Sequence, residues 1–356
     1  MEEQKKTLLS IVDTAKRRAI PDTVETTGST RGYVNYGKDN NFPQFVNYLY
    51  DECSTLRSII DGTAEYIQGN GVLATDRWAT VNKQGTTIED FVLQLATDFM
   101  KFDGFAIQVV YSLANTTVEL YALDFSRIRV STDKRKVYYA KTWSNYTSKY
   151  EEYDAYDPGR IDPNKRTQIF VYKGAHRTYY PYPRWRGAFR DCLSEIEGSK
   201  YVLTTLSNGL NVKSVITLPN TDGQLTPEEK REVEKSIEAK FTGPDAPSSF
   251  MLFWKEEGMG DIKIDSIKTE DETDRFNAIK KAARENIFVA FRAAPILFGL
   301  TSEMTTGFST NEFRDQFNLY ARTVVRPRQQ KIIDVLQKLT GDYSIQIIPF
   351  KLETEE

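Results

Sequence analysis

The spacing of apolar residues along this chain switches between three-to-four and two, and the switches mark out its elements. Residues 1–35 are polar, broken only by Leu8, Leu9, Ile11 and Val12, and read as a mobile arm. YGKDNNFP (Tyr36–Pro43) is turn-rich and feeds a helix from about Gln44 to Ile67, which QGNGV closes with glycines suited to left-handed angles. Thr87 caps a further helix whose Phe91, Leu95 and Phe99 recur every four residues. From Gly104 to about Tyr180 the period falls to two. AIQVVYS, TVELYAL, RIRVST, KVYYAKTW and TQIFVYK are short β-branched and aromatic runs separated by turn residues. They predict an antiparallel sheet, in which the tyrosines between Tyr138 and Tyr156 are half-buried strand aromatics.

YYPYPRWRG (Tyr179–Gly187) returns the chain to helical spacing, with an apolar stripe of Phe189, Leu193, Ile196, Val202, Leu203 and Leu206 that stops at Asn208-Gly209. A compact insertion follows: KSVITLP as a strand, a helix opened by Thr226-Pro227-Glu228-Glu229, then SFMLFW and DIKIDSI as strands. Thr269 and Glu272 have the spacing of a capping box, and Phe276, Ile279, Ala283, Ile287 and Ala290 form one face of the helix behind it. AAPILFGL breaks that helix, because Pro295 biases Ala294 away from helical angles. TSEMTTGFS, small and polar, leads to a second capping box, Ser309 with Glu312. The helix it opens carries Phe313, Phe317, Tyr320 and Val324, and Pro327 should kink it and leave the carbonyl of Thr323 without its usual partner. A strand (YSIQIIPF) and an acidic tail close the sequence.

Composition narrows the function classes. At 356 residues the chain can bury a large core in two or three domains, and 40% apolar with 27% charged residues is a globular balance. No apolar run is long enough to cross a membrane, and the N-terminus has no secretory pattern. Net charge is −3, without the basic surface that a tight nucleic-acid binder carries.

Catalytic chemistry has little to stand on. The single histidine, His176, sits in a turn-like KGAHRTY context. Cys53 and Cys192 have neither metal nor redox spacing and read as reduced, buried thiols. The sequence has no nucleophile elbow and no phosphate-cradling loop. Glu151, Glu152 and Asp154 are read as solvated acids of a polar loop, although carboxylates alone can hold Mg²⁺ in nucleases. The sequence therefore predicts no catalytic residues, no metal ligands and no cofactor. From Arg275 to Arg292 the last long amphipathic helix carries Arg275, Lys280, Lys281, Arg284 and Arg292 against Glu285, a surplus of four positive charges.

The order of these elements resembles portal proteins of tailed bacteriophages, of the kind found in phages and prophages of Bacteroides-like bacteria. The matching segments are YGKDNNFP, EYIQGNGV, YYPYPRWRG with its helix ending in LSNG, GQLTPEEKREVEKSIEAKFTG, APILFGL, and NEFRDQFNLYARTVVRPRQQKIIDVLQKL. The resemblance implies an α+β, portal-type fold. Residues 36–186 are a wing of helices and sheet, 187–209 and 269–292 two stem helices, and 210–268 a small α/β clip. Residues 293–308 are a tunnel loop, 309–340 a kinked helix toward wing or crown, and 341–356 a terminal strand and acidic tail.

It further implies a ring of twelve subunits at one capsid vertex of the virion, built in the host cytoplasm, that conducts double-stranded DNA in packaging and ejection. Its partners are the terminase large subunit, the major capsid protein and a head-completion or adaptor protein, with no membrane. On this resemblance Thr301, Ser302, Glu303, Met304, Thr305, Thr306, Gly307 and Phe308 line the channel. Arg275, Lys280, Lys281 and Arg284 face the channel or a neighbouring subunit, and Glu228, Glu229, Lys230 and Glu232 meet the terminase or adaptor. The competing readings are a phage-encoded metal-dependent nucleic-acid enzyme and a monomeric structural adaptor.

Overall fold

The computed structural model describes residues 20–27, 32–112, 118–143, 149–174, 179–208, 214–219, 228, 231–232, 235, 242–243, 246–247, 250–255, 269–300 and 310–351. The fold is α+β, in two compact units. One comprises Met1–Tyr48, Ile67–Pro183 and Arg328–Lys351; the other comprises Leu49–Tyr66, Arg184–Pro327 and Leu352–Glu356.

In the first unit, helix α3 (Ile88–Phe102) begins where Thr87 accepts the N–H of Asp90 at 3.1 Å, the expected cap. It ends at Asp103, held left-handed at φ +58°. Strand β2 (Gly104–Tyr111) follows at once and lies inside a six-stranded sheet with β3 (Val118–Leu123), β4 (Ile128–Val130), β5 (Lys136–Ala140), β6 (Tyr150–Ala155) and β7 (Thr167–Lys173). The order is β3-β2-β7-β6-β5-β4, with Ile107 opposite Ala122 on one side and Phe170 on the other.

All pairs are antiparallel except β6 and β7, which are parallel, so the expected antiparallel sheet is in fact mixed. The crossover is fixed by Gln168, whose amide accepts from the N–H of Asp157 and donates to the carbonyls of Asp157 and Arg160. Glu151, Glu152 and Asp154 stand on β6 and not in a loop. Lys136 Nζ reaches Asp154 at 2.7 Å and Glu152 at 3.1 Å.

Both sheet edges are covered by the same chain, which removes a template for stray strand pairing. Leu120 of β3 donates its N–H to Val81 and accepts from the Asn82 side chain, while the N–H of Val34 donates to Val130 of β4. Residues 20–27 and 32–35 are therefore not a free arm. The Glu25 carboxylate accepts the N–H groups of Tyr179 and Tyr180, and Tyr33 and Val34 are buried. Residues 1–19 and His176 lie outside the described residues.

The core here is aromatic and contains one buried cation. Tyr36 stacks on Tyr180 with centroids 4.2 Å apart, and Phe42 and Tyr182 pack against it. Arg129, fully buried, donates to Asn40 and to the carbonyls of Ser126 and Ile128, with its guanidinium 4.8 Å from the Trp143 ring centroid. Carbonyl dipoles and ring faces replace the carboxylate such a charge usually requires. Burial lowers its pKa to about 10.

The predicted helix 44–67 is two helices, α1 (Phe42–Glu52) and α2 (Ser54–Gln68). Gly69 ends α2 at φ +70°, where a Cβ would lie 2.1 Å from the carbonyl oxygen of Ile348. The segment after it, β1 (Val72–Leu73), pairs antiparallel with β12 (Gln346–Ile347), so the predicted last strand is present but short. In the second unit lie α4 (Phe189–Asn208), a parallel pair β8 (Ser214–Pro219) and β11 (Phe250–Lys255), a two-residue ribbon β9 (Thr242–Gly243) and β10 (Ala246–Pro247), and α5 (Thr269–Phe291). They are followed by α6 (Thr310–Tyr320), a wide turn over Ala321–Val325, and α7 (Arg326–Thr340), whose distal part belongs to the first unit.

Candidate functional site

Two long helices form the frame of the site. Trp185 stacks on Phe291 (5.7 Å), Asp191 accepts from Asn286 (2.9 Å), Gly198 faces the Lys280 side chain, and Tyr201 stacks on Phe276 (4.4 Å). In each pair one number falls as the other rises, so α4 and α5 run antiparallel along their length. The insertion 210–268 is the connection at their far end.

At Gly198 the two helices are in side-chain contact: a Cβ there would stand an ordinary 3.6 Å from the Lys280 Cγ. Lys280 thus lays its methylenes on α4, half-buried, while Lys281, Arg284 and Arg292 are exposed. Of Arg275 only the helical backbone is described. The expected apolar faces need correction. On α5 the buried residues are Ala283, Ile287, Phe288 and Phe291, and Ile279 is 51% exposed. On α4, Phe189, Cys192 and Ile196 are buried, but Val202 and Leu203 are 39% and 65% exposed. The stripe is continuous only in the half nearest Trp185, where both helices bury side chains together.

Helix α5 ends in a left-handed residue, Arg292 (φ +54°), with the Ala293 N–H closing back on the carbonyl of Phe288 at 3.0 Å. Ala294 then turns extended, as its place before Pro295 requires, and Pro295–Phe298 winds into one tight turn where an irregular loop was expected. Thr301–Phe308 lie outside the described residues, as does the Ser309 cap.

The two chain ends that flank this segment share one anchor. Tyr66 of α2 donates its hydroxyl to the carbonyl of Leu297 at 2.9 Å, and its ring meets Phe298 and Phe317 edge-on. Phe298 also meets Phe288 and Tyr320, and the Tyr320 hydroxyl hydrogen-bonds Thr63 at 2.7 Å. Burial raises the pKa of Tyr66. Residues 297–298 and 317–320 are thus clamped to one face of α2.

Sequence reasoning missed Thr63 and Tyr66. The signal was Gly62, a helix-interior glycine where a Cβ would sit 3.0 Å from Phe298, marking the close approach.

The expected kink at Pro327 takes a definite form. The N–H of Arg326 donates to the carbonyl of Ala321, five residues back, so the helix widens by one residue just before the proline. A wide turn spares the clash between a proline ring and the carbonyl four residues earlier. Phe317, Tyr320 and Val324 are buried as expected.

In the insertion, β8 and β11 are parallel, with Ser214 opposite Phe250 and Pro219 opposite Lys255. A parallel pair needs a crossover of a dozen or more residues, and the helical positions 228, 231, 232 and 235 fall within it. Glu228 and Glu232 are exposed; Glu229, Lys230 and the predicted strand DIKIDSI lie outside the described residues. Among the described residues no cluster of three or more His, Cys, Asp or Glu side chains could hold a metal, and no helix is long and apolar enough to cross a membrane.

The family described as Phage portal protein matches residues 80–352. No curated protein matches the chain. Among solved structures, the virion of a native gene transfer agent particle contains a chain 17% identical, with a TM-score of 0.53, covering 85% of this chain and 83% of its own. A neck of the native particle, computed with C12 symmetry, gives 15% identity and a TM-score of 0.52, covering 92% and 86%. An HK97-family phage portal protein from Corynebacterium diphtheriae is 11% identical, with a TM-score of 0.51 over 85% and 94%. At these identities the likeness is one of fold.

Proposed function

This chain belongs to the phage portal protein family, a structural and not an enzymatic one, and from that premise we propose that copies of it close into a twelve-membered ring at one vertex of a phage capsid. Double-stranded DNA passes through the ring during packaging and ejection. The observation that carries this reading is the antiparallel pair α4 and α5, joined at one end through residues 210–268 and followed at the other by residues 297–298 and 317–320 clamped to α2. The C12 symmetry of the similar gene transfer agent neck supports twelve as the ring number.

In this proposal α4 and α5 are the stem and residues 210–268 the clip, which presents Glu228, Glu229, Lys230 and Glu232 to the terminase large subunit and then to a head-completion protein. Residues 36–186 form the wing facing the major capsid protein, and Thr301–Phe308 line the narrowest part of the channel. Val202, Leu203, Ile279, Val289 and Leu319, exposed by 39 to 75% in one subunit, are covered by the neighbouring subunits. A ring needs such unlike faces meeting head to tail.

A net charge of −3 suits a conduit, since each phosphate neutralised by the wall would add a salt-dependent grip on moving DNA. The cationic Lys281, Arg284 and Arg292 are then few enough to guide without holding.

The test is to replace Thr301–Phe308 with a glycine-serine linker of equal length in an assembling system. The reading expects rings to form and packaged DNA to fall sharply. Rings that form and package normally would show that this segment does not line the channel.

A further inference from the structure

Outside the segments assigned above, one pair of reactive groups has no role. Cys53, at the junction of α1 and α2, and Cys192, in the first turn of α4, are 139 positions apart in sequence, and both are completely buried. The Cys53 side chain faces the Cys192 thiol closely enough to be the largest influence on its titration. The backbone around them is held by a second contact of the same two elements: Glu195, one turn on from Cys192, accepts the Ser54 hydroxyl at 2.8 Å and the Thr55 N–H at 3.2 Å. That carboxylate sits at the N-terminus of α2, where a negative charge is favoured. Its other oxygen, Oε2, is buried with no hydrogen-bond partner among the described residues.

We infer that Cys53 and Cys192 form a reversible internal disulfide when the protein meets a small-molecule disulfide such as oxidised glutathione, covalently joining α4 to the start of α2. The geometry favours closure, because Glu195 braces Ser54 and Thr55, next to Cys53, against the turn of α4 that carries Cys192.

The exchange is balanced. One cysteine thiolate attacks a sulfur of oxidised glutathione and releases one glutathione thiolate. The second cysteine, losing its proton, then attacks the mixed disulfide and releases another. The protein loses two hydrogen atoms and two molecules of glutathione are formed.

The same environment makes the step slow. The facing Cys53 side chain, then burial and the nearby Glu195 and Asp191 carboxylates raise the Cys192 thiol well above its ordinary pKa, so little thiolate exists at neutral pH. The pair therefore stays reduced under mild conditions and closes on sustained exposure, faster as pH rises. Because α2 also carries Thr63 and Tyr66, closure would tie α4 covalently to the helix that anchors residues 297–320.

The experiment incubates the purified full-length chain with oxidised glutathione at pH 7 and pH 9, then reads intact mass and non-reducing peptide maps. The expected product has lost two hydrogens, contains a Cys53–Cys192 linked peptide, forms several-fold faster at pH 9, and reverts with dithiothreitol. Its thermal midpoint should rise by roughly 5 °C. C53S and C192S variants should each stop at unlinked or mixed-disulfide species. Recovery of two alkylatable thiols after exhaustive oxidation of the folded protein, or a linked product joining different chains, overturns the inference. These readouts are independent of ring formation and DNA passage.

Discussion

In the unit carrying the six-stranded sheet, exposed large apolar side chains sit where elements stop. Ile20, Val24, Tyr343 and Phe350 lie outside regular structure, Leu73 ends β1 and Tyr150 begins β6. In the unit carrying α4 and α5, Val202, Leu203, Ile279, Val289 and Leu319 are exposed within helices. The first unit also covers both sheet edges from its own chain and neutralises Arg129 internally, so a single copy satisfies it. The helical unit exposes apolar surface that one copy does not cover. Self-sufficiency in one region and incompleteness in the other is what a ring subunit requires.

The sharpest way to break that contrast is at Arg129. Arg129→Met leaves the carbonyls of Ser126, Ile128 and Asn40 without their donor in a dry core, and should destabilise the protein by about 3–5 kcal/mol in denaturant titration. A loss below about 1 kcal/mol would mean that the buried cation is not what organises the sheet unit. Next in size is Val289→Glu. Val289 is 75% exposed, so folding of one copy should change by less than about 0.5 kcal/mol. Assembly should weaken by about 2 kcal/mol per contact, read by sedimentation.

Thr87→Ala removes the cap of α3 and should cost about 1 kcal/mol, with assembly unaffected. The last effect is a pH slope. Loss of water around Asp98 pushes its pKa from 3.8 to about 7, against the lowering influence of Lys101. Its folded-state value lies above its unfolded one, so its contribution to stability is fully present below about pH 4 and is lost as pH rises toward 7. Asp98→Asn should flatten that part of the stability profile, and an unchanged slope would assign it to another group.

Much of the fold was legible because local signals agreed with one another. The Thr87 cap, the alternation from Gly104 to Lys173, the glycines at Gly69 and Gly71, and the stop before Pro295 each rest on chemistry within a few residues. What was hidden depends on distant partners. The parallel β6–β7 pair rests on Gln168 reaching a loop, and the break between α1 and α2 coincides with a carboxylate from α4. Glu152 and Asp154 looked like loop acids because their partner, Lys136, is on another strand. The buried stripe on α4 was overestimated because Val202 and Leu203 keep helical spacing whether a partner comes from the same chain or another. The shared base at Thr63 and Tyr66 was invisible because neither residue type signals an anchor by itself.

Mass photometry and electron microscopy of the purified chain, beside the Val289→Glu variant, test the central claim most directly. The proposal expects closed rings near twelve subunits for the natural sequence and folded, smaller species for the variant. A strict monomer of the natural sequence at high concentration, or variant rings as stable as the natural ones, would contradict it.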